Sequence, residues 1–94
     1  MKFKKINELK VNGPDGSWIQ IKNHDYLEYG SDIGVVQITV GYDPAKREIV
    51  VYASEAKTRE TPSGTEDIPA SEHQVIVDDL KEGLALLKGK FIVV

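Results

Sequence analysis

A chain of 94 residues, 40% apolar and 29% charged, has room for one domain with one modest core, and this composition excludes a disordered chain. It contains no cysteine, which excludes disulfides, thiolate metal sites and cysteine nucleophiles and fits a reducing compartment. The net charge of −3 disfavours nucleic acid as a partner, because such binding draws its affinity from counterion release by clustered Lys and Arg.

The first ten residues are basic, with Lys2, Lys4, Lys5 and Lys10 against Glu8. No apolar run of about 7–15 residues follows, as a secretory signal requires. No segment approaches the roughly 18 apolar residues of a membrane span. The expected location is therefore cytoplasmic, with no membrane partner.

Leu9 and Val11 alternate with Lys10, then Asn12-Gly13-Pro14-Asp15-Gly16 forms a turn cluster. Beyond it, Ile19 and Ile21 alternate with Trp18, Gln20 and Lys22. Alternation on both sides of a turn predicts a β-hairpin, with the isoleucines facing the core and Trp18 on the opposite, partly exposed face. Tyr26–Tyr29 is a short extended piece, and Gly30–Gly34 is a second turn. The clearest hairpin follows: Val36, Ile38, Val40 and Tyr42 share one strand face, Asp43-Pro44-Ala45-Lys46 turns the chain, and Glu48–Ala56 returns with Ile49, Val51 and Ala53 on one side. Tyr42 is expected in the core.

Residues 57–72 hold two prolines, a glycine and only two apolar residues, and show neither a helical nor a strand period. Together with His73 they read as a long polar loop, which in a compact domain points to function or disorder. Gln74–Val77 reads as a short buried strand, because three β-branched residues in a row resist a helix. Asp79 with Glu82 outlines a capping box, which opens a helix carrying Leu80, Leu84 and Leu87 on one face. A competing reading runs one helix from Ser71 to Leu87. Gly83 costs a helix about 1 kcal/mol against alanine, so it marks a close approach to the sheet. Gly89 stops the helix, and Phe91–Val94 ends the chain as a strand. The predicted fold is α+β: an antiparallel sheet of about four to six strands with one C-terminal helix packed on one face, in a single domain over residues 1–94.

Chemistry-bearing patterns are sparse. His24, Asp25 and Glu28 lie close in sequence and His73 is the other histidine, but no metal-ligand spacing links them. Ser31, Ser54, Ser63 and Ser71 sit in no nucleophile-elbow context. Two aspartates at the expected helix entry would repel phosphate. No enzyme, metal or cofactor is expected.

The leading reading is a non-enzymatic module that binds another protein or a second copy of the chain. Its contacts would be the acidic loop, through Arg59, Glu60, Glu66 and Asp67, or a sheet face carrying Trp18 and Tyr52, since Trp, Tyr and Arg dominate interface energetics. Phe91–Val94 offers a sheet edge for pairing. One alternative is a small inhibitor or accessory protein that blocks a larger enzyme or nucleic-acid machine by charge complementarity. A second alternative is a small enzyme or ligand-binding domain using His24 or His73. The leading reading includes no small-molecule ligand.

Overall fold

Turn chemistry sets the strand order. The computed structural model describes residues 2–94, and Met1, the first residue of the basic stretch, lies outside the described residues. Strand β1 (Lys4–Asn7) pairs antiparallel with β2 (Lys10–Asn12). A single turn of 3-10 helix at Pro14–Gly16 carries the chain into β3 (Trp18–Ile21), with Val11 opposite Ile19. This is the expected first hairpin. β4 (Tyr26–Ser31) and β5 (Gly34–Asp43) follow, joined at a tight turn where Ser31 faces Gly34. The expected second hairpin, β5 with β6 (Glu48–Val51), pairs Tyr42 with Ile49 and Asp43 with Glu48.

At ten residues, β5 is long enough to serve two neighbours along one edge. Val40–Asp43 pair with β6, while Val35 pairs with Glu60 of β7 (Thr58–Thr61). β7 in turn pairs with β8 (Gly64–Asp67). The last strand, β9 (Phe91–Val93), joins the far side of β6 and runs parallel to it.

Among the described residues the sheet thus has nine strands in the order β1-β2-β3-β4-β5-β6-β9, with β7 and β8 branching from β5. This corrects the expectation of four to six antiparallel strands: the sheet is larger, and it is mixed. A parallel pair cannot be closed by a tight turn and needs a crossover. Here the crossover includes α1 (Ala70–Leu84), which joins the β7–β8 branch to β9.

The loop expected over residues 57–73 is a hairpin followed by the first turn of α1. Thr61 Oγ1 donates to the Gly64 carbonyl at 2.8 Å and accepts the Ser63 N–H at 3.2 Å, which closes the turn. No alternation betrayed these strands because the one buried position between Thr58 and Asp67 belongs to Arg59.

The helix is also corrected. It starts at Ala70 with Pro69 at its N-cap, so Gln74–Val77 is helical and the Asp79–Glu82 pair lies in its interior. The competing helix reading is the nearer one. Ile76, Leu80 and Leu84 repeat every fourth residue and are at most 4% exposed. Burial of that stripe is worth roughly 1.5–3 kcal/mol per side chain, which outweighs the few tenths that each β-branched residue costs a helix. The helix ends at Leu84, before Gly89, and Leu87 reaches the core from the irregular stretch beyond it.

The sheet curls around a core in which Val11, Ile19, Leu27, Val36, Ile38 and Val51 meet Leu80 and Leu84 of α1. Gly83 makes the expected close approach: a Cβ there would lie 2.5 Å from Ile19 Cδ1 and 3.2 Å from Val11 Cγ2. No helix among the described residues is long and apolar enough to cross a membrane.

Candidate functional site

The residues singled out in the sequence do not converge on one place. Trp18 is half-buried on the outer side of β3, with its indole lying on Gly30 of β4 and the Lys10 ammonium 5.4 Å from the ring centroid. Tyr52 follows β6; its N–H bonds the Thr39 carbonyl at 2.9 Å, and its half-buried ring packs by Gly41.

Arg59 is 7% exposed and inward-facing. Its Nε donates to Glu66 Oε1 at 2.7 Å, and a second guanidinium nitrogen donates to Glu72 on α1. Burial acts to lower the Arg59 pKa, and the hydrogen bonds and charges of Glu72 and Glu66 outweigh it, so the guanidinium is held charged. This clamp fastens the β7–β8 hairpin to the helix. Glu60 is exposed and accepts the Thr65 hydroxyl at 2.8 Å, and Asp67 is exposed at the end of β8.

A second polar tie lies deeper. Asp79, 6% exposed in mid-helix, accepts the Tyr29 hydroxyl from β4 at 2.6 Å, while its other oxygen is 2.6 Å from Lys2 Nζ. Burial, the hydrogen bond to Asp79 and the charge of Asp79 all push the Tyr29 pKa well above its ordinary value. The sequence did signal Asp79: it shares the helix face of Ile76, Leu80 and Gly83 at helical spacing. Reading Asp79 as a cap residue concealed that.

The histidines are separate. His73 shares its Nε2 with the Ala53 carbonyl at 2.7 Å, fixing the helix start to the turn after β6. His24 is solvent-exposed, 3.8 Å from Asp25. Among the described residues no three His, Asp or Glu side chains gather as a metal site requires.

Two surface features remain. The first is an apolar cleft of about 390 Å3 at one end of the curled sheet. Leu27 and Val40 form its floor, Ile21, Ile49 and Phe91 its walls, and Leu9 and Tyr42 its lips. Tyr42 corrects an expectation: it continues the core face of β5 by alternation, yet it is 62% exposed because the strand outruns the core. The β3–β4 turn, Lys22-Asn23-His24, makes the polar part of the rim. Nothing in the periodicity of Leu9 or Tyr42 distinguishes a cleft lip from a core position.

The second feature is the edge of β9. The Ile49 N–H bonds the Lys90 carbonyl at 2.8 Å and the Val94 N–H bonds the Val51 carbonyl at 2.9 Å. Strand alternation therefore turns the N–H and C=O groups of Phe91 and Val93 away from β6. A groove of about 330 Å3 runs along this strand, lined on its other side by Lys81 and Leu84 of α1 and by Ala85 just beyond it. Ile92 and Val94 are both among the exposed large apolar side chains.

No family model, curated protein or solved structure matches the chain.

Proposed function

We propose that the chain is a non-enzymatic protein-interaction domain that accepts an extended segment of another protein on the free edge of β9. The observation that carries this reading is the contrast among the open edges of the sheet. An unpaired edge recruits other strands, and proteins guard such edges with charge. β1 is guarded by Lys4 and Lys5, and β8 by Glu66 and Asp67. β9 is Phe-Ile-Val, with no charge inside it and a groove beside it. Main-chain hydrogen bonds to the edge would supply affinity, and the groove would select side chains, as in other strand-addition complexes.

The test is a screen of immobilised extended octapeptides against the wild type and Val93→Pro. Proline is tolerated on sheet edges, and at 93 it removes the outward N–H while leaving the ladder to β6, which uses Lys90, Ile92 and Val94; Val93→Ala, which keeps the N–H but loses the side chain packed on the core, is the control. Selection of alternating apolar peptides by the wild type, lost in Val93→Pro at an unchanged fold, is the expected result. Equal capture by Val93→Pro, with loss instead on Trp18→Ala or Tyr52→Ala, would move the contact to the outer sheet face and refute the edge.

A further inference from the structure

The cleft between Leu9 and Tyr42 is separate from the strand edge in its chemistry. It is a concavity of about 390 Å3, inside the size range of small-molecule sites, which are mainly apolar with a few placed polar groups. At about 30 Å3 for each water-sized group, it admits roughly a dozen heavy atoms. Its floor and walls are hydrocarbon and aromatic, and no carboxylate lines it among the described residues.

The polar groups lie together on the β3–β4 turn. Lys22 has Glu28 only at 3.9 Å, a distance that leaves its ammonium hydrogens available to a closer acceptor. Asn23 Oδ1 accepts the N–H groups of Asp25 and Tyr26, which leaves its NH2 end as a donor. His24 is exposed beside them. An apolar trough with donors and a cation at one end is complementary to an anion head on a hydrocarbon tail.

We infer that the cleft binds an organic monocarboxylate with an unbranched tail, of the size of octanoate or decanoate, with the tail over Leu27 and Val40 and the carboxylate at Lys22 and Asn23. Each buried methylene is worth about 0.8 kcal/mol, so affinity should rise about fourfold per added carbon until the trough is full. The head contributes selectivity. An exposed ion pair is worth up to about 1 kcal/mol, which corresponds to about fivefold between a carboxylate and an amine of equal length.

The experiment titrates the full chain with hexanoate, octanoate, decanoate and octylamine, followed by backbone amide NMR shifts. The expected result is saturable shifts at Ile21, Gly41, Ile49 and Phe91, tightening with chain length, with octanoate ahead of octylamine. Lys22→Gln should erase the head-group preference and keep the chain-length dependence. Leu9→Asp, at a position already 51% exposed, should weaken octanoate without altering the melting temperature. Val93→Pro should bind octanoate as the wild type does, which keeps this site distinct from the strand edge. Absence of saturable shifts at millimolar ligand, an affinity indifferent to chain length, or octylamine binding as well as octanoate would overturn the inference.

Discussion

Tyr29→Phe isolates the tie between sheet and helix. The substitution keeps the ring and its packing and removes one hydroxyl, the donor 2.6 Å from Asp79 Oδ2. Hydrogen bonds to charged groups contribute about 1.5–3 kcal/mol, and an acceptor left buried without its donor carries its desolvation cost in full. Asp79 is 6% exposed, so water replaces the donor poorly, whereas the Lys2 ammonium remains at the other oxygen. A loss of about 2 kcal/mol follows, which for a domain of this size lowers the melting temperature by roughly 8–16 °C. Thermal denaturation by circular dichroism at neutral pH measures it. The same bond has an alkaline signature. A tyrosine whose folded pKa is raised contributes stability that is complete below its unfolded value near 10 and is lost as the pH climbs above it. Wild type should therefore lose stability above pH 10 more steeply than Tyr29→Phe, which has no such group. A melting shift under about 2 °C at neutral pH, or parallel alkaline profiles, would refute the reasoning.

Gly83→Ala should destabilise. At an exposed helix position the change would add about 1 kcal/mol, but here the new methyl meets Ile19 at 2.5 Å in a filled core, and overpacking costs about 1–3 kcal/mol; chemical denaturation gives the sign. Gly30→Ala should displace the indole that lies on it, since the added Cβ falls 2.1 Å from Trp18 Cε2. Trp18 is the single tryptophan, so its emission should shift to the red as the ring moves into water, and an unchanged spectrum would contradict the stacked geometry.

What the sequence showed follows from which interactions have a period. The β2–β3 and β5–β6 hairpins were legible because Val11, Ile19 and Ile38 alternate with less apolar neighbours, Val36 and Val51 continue the same strand faces at a spacing of two, and the strands flank turns built from Gly, Pro, Asn and Asp. Gly83 was legible because a glycine inside a helical pattern has a cost that needs a reason. The β7–β8 hairpin was not legible, since its inward side chain is a charged Arg59 whose partners, Glu66 and Glu72, lie 7 and 13 residues away. Val75-Ile76-Val77 misled because local preference favours a strand there while the stripe through Ile76, Leu80 and Leu84 is satisfied only as a helix. Of the candidate surfaces, the β9 edge was visible as an apolar run. The cleft was not, because Leu9, Tyr42 and Phe91 come from distant parts of the chain and meet only when the sheet curls.

Phe91 belongs to both surfaces, and its two halves serve them differently. Its ring forms a wall of the cleft, whereas its backbone N–H and C=O lie on the free edge of β9. Strand addition uses the backbone and leaves the ring in place; a ligand in the cleft touches the ring and leaves the backbone groups free. Because Phe91 also lines the groove beside β9, substituting it would weaken both and distinguish nothing, whereas Val93→Pro is directed at the edge and Leu9→Asp at the cleft. If both surfaces are occupied in one molecule, Phe91 and the short ladder that holds β9 to β6 are the direct link between them. Thermodynamic reciprocity then requires octanoate to change peptide affinity by the same factor that peptide changes octanoate affinity. A factor of one would mean that the two surfaces act independently, and mutual exclusion would mean that the two ligands overlap.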